Sequence, residues 1–255
     1  MKISRSSIVV AVIAAALAAA EAGGSAAARP QRAASPIAAH APANLPLTFV
    51  ENRGRADARV RFYAQGARYA FYLTPREIVL AFLNEPTTEE HALAMRFVGA
   101  NANAAISGAG PQGTFNYLHG SDPSRWQTDV PSYSTIVYRD LWPHVDLHVK
   151  GDGGALKYEF HVAAGAAPSA IRLAYEGASS LTLDDSGALL VGTALGALRD
   201  APPISYQTID GVRVPVGSRY VLDTGRNDRG FGFAAGPYRT DRELVIDPGI
   251  EYTTF

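Results

Sequence analysis

The chain has 255 residues and no cysteine, with 23 basic and 24 acidic side chains giving a formal net charge of −1. Zero cysteine excludes a disulfide scaffold, a thiol nucleophile and thiolate metal ligands. A near-neutral balance without a block of like charge argues against binding nucleic acid or an anionic membrane.

The first 22 residues carry the three zones of a secretory signal. Lys2 and Arg5 precede an apolar run from Ile8 to Ala20, and Ala20-Glu21-Ala22 offers small residues at a cleavage site. The run is shorter than the roughly 20 apolar residues of a membrane anchor and lacks a basic flank. The expectation is an exported chain, periplasmic, cell-surface or extracellular, with no membrane span after cleavage. Residues 23–43 are rich in Ala, Pro, Gly and Ser and poor in large apolar side chains, so they are read as a flexible leader. About 210 residues remain for folding, enough for a core that needs no disulfides.

From Val60 onward apolar residues alternate with polar ones, the period of half-buried strands. Strands are expected at Val60, Phe62 and Ala64; at Tyr69, Phe71 and Leu73; and at Ile78, Leu80 and Phe82. Further runs lie at 134–138, 145–149, 156–162, 171–175, 181–183, 187–191, 219–222 and 244–246. Turn signals such as Asp152-Gly153, Asp185-Ser186-Gly187 and Asp210-Gly211 separate them. Helical periodicity is almost absent. The fold class expected is all-β, sandwich-like, with a first unit over 44–131 and a second over 132–255. Gly66 to Phe82 resembles Gly154 to Tyr175 in its Gly, aromatic and Pro-to-Ile spacing, so the two units could be related.

Three places carry candidate chemistry. Gly108-Ala109-Gly110-Pro111-Gln112-Gly113 matches the dinucleotide motif in letters, but Pro111 interrupts it and no helix-forming sequence follows. Asn116, His119, Asp122, Arg125 and Trp126 put polar groups and an aromatic plane in one segment, as a glycan-binding loop does; the competing reading is a turn capped by Asp122 and anchored by a buried Trp126. The third is a hairpin about Asp152-Gly153, in which position 146 is expected opposite 159, 148 opposite 157 and 144 opposite 161. Its polar side collects His144, Asp146, His148, Lys157, Glu159 and His161, a set able to hold zinc and activate water. The simpler reading is a solvated face of paired charges, where Lys157 opposes a cation. No nucleophile elbow, phosphate loop or catalytic triad is present, and no cofactor is expected.

Several signatures together resemble the uncharacterised domain found ahead of SBBP β-propeller repeats in bacterial secreted and surface proteins. They are Phe49-Val50-Glu51-Asn52-Arg53-Gly54, Val60 to Ala64, Met95 to Ala100, Asn116-Tyr117 with Asp122 to Trp126, Val145-Asp146-Leu147 with Lys157 to Phe160, Ala201-Pro202 through Tyr206-Gln207 to Asp210-Gly211, and Asp247 to Tyr252. The resemblance implies a front module without assigned activity, followed in its relatives by propeller repeats that are expected downstream and absent from this chain. The functional expectation is a non-enzymatic exported module for surface attachment, assembly or glycan contact. The alternatives are a metal-dependent hydrolase using the His-rich hairpin and a passive spacer.

Overall fold

A computed structural model describes residues 47–66, 69–84, 89–152, 155–193, 196–223 and 230–251. The expected signal at 1–22 and leader at 23–43 lie outside the described residues. Among the described residues, seventeen strands form one antiparallel sheet, accompanied by two short 3₁₀ turns at Pro123–Arg125 and Pro168–Ala170. No helix among these residues is long and apolar enough to cross a membrane.

The first strands are β1 (Phe49–Glu51), β2 (Phe62–Gln65), β3 (Tyr69–Leu73), β4 (Glu77–Asn84) and β5 (Glu89–Phe97). A long hairpin follows, β6 (Ala105–Tyr117) and β7 (Gln127–Trp142), then β8 (Val145–Asp152) and β9 (Ala155–Val162). The rest are β10 (Arg172–Glu176), β11 (Ser180–Leu183), β12 (Leu189–Thr193), β13 (Gly196–Ile209), β14 (Val212–Val216), β15 (Ser218–Leu222), β16 (Gly230–Ala235) and β17 (Leu244–Glu251).

Backbone pairing runs β15–β16–β10–β5–β4–β3–β2–β1–β7 and continues β8–β9–β17–β13–β12–β11. β6 lies on the other side of β7, and β14 shares a side of β13 with β12. The end strand β15 returns to β13 through side chains: Ser205 Oγ donates to Ser218 Oγ (2.7 Å), and the Tyr220 hydroxyl donates to the Ala201 carbonyl (3.0 Å). The sheet thus curls nearly into a barrel. The all-β expectation holds, and the facing walls of the expected sandwich are parts of one ladder. Ser132, the expected division, falls inside β7, and β10 pairs with β5 from Leu173↔Phe97 to Glu176↔Ala94, so the two stretches share that ladder. The internal similarity does not extend to pairing either. β3 and β4 form a hairpin, whereas β9 lies between β8 and β17 and β10 between β5 and β16.

The main core fills the curl with alternating side chains, among them Phe71, Ile78, Leu80, Met95, Ile136, Leu147, Phe160, Leu173, Phe231 and Ile246. Edge-to-face ring pairs such as Phe97–Tyr138 at 5.4 Å pack it. A second cluster sits outside β1–β5, where Val50, Tyr63, Tyr72, Val79 and Ala94 are covered with Val60 and Val130. Val60 therefore belongs to this outer cluster and precedes β2, although its alternation with Phe62 suggests the inner face. Its amide donates to the Asp57 carbonyl in a turn organised by Asn52. The Asn52 Oδ1 accepts from the amides of Gly54, Arg55 and Ala56, and its Nδ2 donates to the carbonyls of Ala56, Asp57 and Val60. Such local side-chain bonding replaces ladder bonds where the chain leaves the sheet.

Several polar groups inside the barrel are bonded to neighbours, as burial demands. Asp200 is fully buried and accepts from the Tyr158 hydroxyl. The Tyr138 hydroxyl reaches the Thr74 carbonyl, and the Trp142 indole N–H the Val98 carbonyl. Tyr158→Phe removes a donor from a fully buried carboxyl group and is expected to lower stability in urea by about 1.5–3 kcal/mol. A loss under about 0.5 kcal/mol would show that Asp200 does not depend on that hydroxyl.

Candidate functional site

Two surface regions gather the residues singled out by the sequence. The first is the outer end of the β6–β7 hairpin. β6 is exposed along most of its length because β7 is its sole ladder partner among the described residues. The Gly108–Gly113 motif lies within this edge strand, with no helix after it, which removes the structural basis for a pyrophosphate site. Its glycines serve packing: a Cβ at Gly108 would come within 2.3 Å of the Tyr133 ring. Gly110 has φ +63°, next to a register shift between Pro111 and Gly113.

All five expected ligand residues, Asn116, His119, Asp122, Arg125 and Trp126, are exposed in this hairpin tip. Three are engaged locally. The Asn116 Oδ1 accepts from the Asp129 amide (2.9 Å), and Asp122 caps the 3₁₀ turn by accepting from the Ser124 amide and hydroxyl (3.0 and 2.8 Å). Trp126 combines the two expectations. Its indole N–H donates to the Gly120 carbonyl (3.0 Å), which fixes the turn, yet its ring is 37% exposed and is not a buried anchor. Its neighbours in the turn, 118–125, are exposed as well, so nothing there covers the ring.

The structure adds residues that the sequence reading omits. Phe115 (42% exposed) stacks on Tyr117 at 6.3 Å, and Leu118 is 61% exposed. The Arg55 guanidinium lies 3.9 Å from the centre of the Tyr117 ring, and the Tyr117 and Tyr63 hydroxyls are 2.9 Å apart. The Gln127 amide donates to the Arg53 carbonyl (2.7 Å), pinning the 52–57 loop beside the tip. The alternation of Phe115 and Tyr117 was readable from the sequence, whereas the approach of Arg55 depends on tertiary folding.

The second region is the outer face of β7, β8, β9 and β17. The expected division of the hairpin into faces holds, since Val145, Leu147, Val149, Leu156, Tyr158 and Phe160 are all buried. The register differs. Asp146 pairs with His161, His148 with Glu159 and Lys150 with Lys157, because the ladder closes at Asp152↔Ala155, one residue beyond the expected turn. Shifting the turn by one residue moves each partner by two, which preserves the faces. His144 does not oppose His161. It is exposed in the β7–β8 turn with φ +59°.

Asp146 is held by Arg139 and by the Asp140 amide (2.8 Å). Glu159, only 8% exposed, accepts from Lys150. The His148 and His161 rings stack with centres 4.0 Å apart. His161 Nδ1 lies 3.1 Å from Glu243 Oε1, and its Nε2 is 3.7 Å from Glu159 Oε2, an ion-pair separation. Among the described residues no three His, Asp or Glu side chains form a group that could hold a metal ion. The five expected ligands are distributed between a turn, an Arg–Asp pair and a charge network.

The His161 ring, with Lys150 adding to it against the cost of burial, lowers the Glu159 carboxyl to a pKa of about 2. Burial disfavours protonation of His161, but Glu159 and Glu243 outweigh it and raise its pKa. His148 is lowered by burial first, then by His161 and Arg139.

The fold and these surfaces define an all-β domain presenting an aromatic hairpin tip and a charged sheet face. Residues 49–249 match the model of a family described as a domain of unknown function (DUF7948), and the chain belongs to that family. No curated protein and no solved structure matches.

A carboxylate lowered in the folded state adds stability above its ordinary pKa, and this is lost as pH falls through the folded value. For Glu159 the window runs from about 4.5 down to about 2. Glu159→Gln is therefore expected to flatten the acid limb of a stability–pH curve between pH 4.5 and 2. An unchanged limb would show that other carboxylates set it.

Proposed function

We propose that this chain is an exported, non-enzymatic β module whose β6–β7 tip contacts glycan or other surface components. The observation that carries the reading is Trp126, whose N–H is fixed on Gly120 while the residue stays 37% exposed in a turn that also exposes Arg125 and His119. Flat aromatic faces bind sugar rings by apolar contact, and neighbouring polar groups fix their orientation. Immobilising the ring beforehand reduces the ordering cost of binding. Phe115 and Leu118 extend the exposed apolar surface of the same hairpin. The resemblance to domains that precede propeller repeats supports a role as the front module of a surface protein. The signal-like first 22 residues support export.

Trp126→Ala is expected to abolish co-sedimentation with insoluble polysaccharide, using cellulose, chitin and peptidoglycan as probes. Because the ring is partly exposed, stability should fall by only about 0.5–1.5 kcal/mol through the lost hydrogen bond. Failure of the wild-type protein to bind any of these would overturn glycan contact. On cell fractionation a mature form beginning near Gly23 is expected outside the cytoplasmic membrane, and full-length chain in the cytoplasm would overturn export.

A further inference from the structure

The sheet face around His148 and His161 presents two imidazoles in contact, with centres 4.0 Å apart and planes inclined by 29°. The Nε2 atoms of both are shut off from solvent without a hydrogen-bond partner among the described residues. Every neighbouring element contributes charge. Arg139 comes from β7, Asp146 and Lys150 from β8, and Lys157 and Glu159 from β9; Glu243 and Asp247 come from the β17 side. Arg139 is engaged with Asp146, and Lys150 with Glu159. The remaining acidic attraction falls unequally on the rings. Glu243 and Glu159 lie 3.1 and 3.7 Å from His161, and no ion pair at such distances reaches His148 among the described residues.

We propose that His148 and His161 form a one-proton pair, a pH-responsive device in which His161 carries the proton and His148 stays neutral until acidification forces a second cation against the first. Two like charges at this separation in a half-buried setting repel far more strongly than in water. Titration of such a pair is a property of both rings together. The opposite directions of the two pKa shifts fit this geometry.

The sign of the effect differs for each ring. A raised His161 adds stability below the ordinary value of 6.5, and that stability is lost as pH rises through its folded value. A lowered His148 refuses a proton that the unfolded chain accepts, so stability falls as pH drops below 6.5 toward its folded value. The pair therefore contributes most near pH 6.5, a window separate from that of Glu159. The device is independent of the hairpin tip, so it stands or falls apart from glycan contact.

The test is a ring NMR titration of the full chain combined with melting temperature from pH 5 to 8. His161→Gln should raise the pKa of His148 by about one unit, whereas His148→Gln should leave that of His161 nearly unchanged, because His161 takes its proton while His148 is still neutral. Glu159→Gln, which leaves the stack in place, should lower the pKa of His161. The proposal is overturned if His148 titrates unchanged in His161→Gln. It is equally overturned if His148 protonates before His161. Should either His variant fail to fold, the response of His161 to Glu159→Gln and the order of protonation in the wild type decide the question.

Discussion

Backbone pairing along β7 is the constraint on which both surfaces depend. One side of the strand is divided: Ser132 and Tyr133 pair with β1, and from Thr135 onward the partner is β8. The opposite side pairs with β6 from Gln127 to Arg139. A strand bonded in this way cannot relax toward either half of the chain, since every amide and carbonyl released would need a new partner. β7 therefore fixes the hairpin tip at one end and the histidine face at the other.

Burial on both faces of β1–β5 follows from the same arrangement. The inner face meets the barrel core, and the outer face is closed by the Asn52 turn together with Val130 of β7 and Tyr117 of β6. A hairpin that covered nothing would be marginal in water. Here Val130 and Tyr117, close to the tip, contribute apolar surface to the second cluster, while Phe115, Leu118 and Trp126 beside them stay exposed. The covered and the exposed side chains thus lie at the same end of one hairpin, so the surface on the loop rests directly on packed residues.

On the histidine face the deciding quantity is how attraction is distributed among charges. Asp146 is satisfied by β7, so it cannot act on the imidazoles as it would in a metal site. Glu159 is shared between Lys150 and His161, and Glu243 reaches His161 from the β17 side. That asymmetry separates two chemically identical rings.

Strand period determined much of this from the sequence. Alternation gave the inner faces of β3, β4, β8 and β9, because a side chain's face depends only on parity along the strand. The Asp122 cap was legible for a different reason, being a local interaction of an Asp that precedes Pro123. Strands without contrast between faces were not legible. β6 is rich in glycine and exposed on both sides, and β13 carries Pro202 and Pro203 at a bulge. Tertiary folding alone decided the β8–β9 register, the exposure of Trp126, the placing of Arg55 over Tyr117 and the His148–His161 stack. Arg55 and Tyr117 are distant in sequence, and the register that stacks His148 on His161 turns on a one-residue difference in turn position; periodicity carries information about neither.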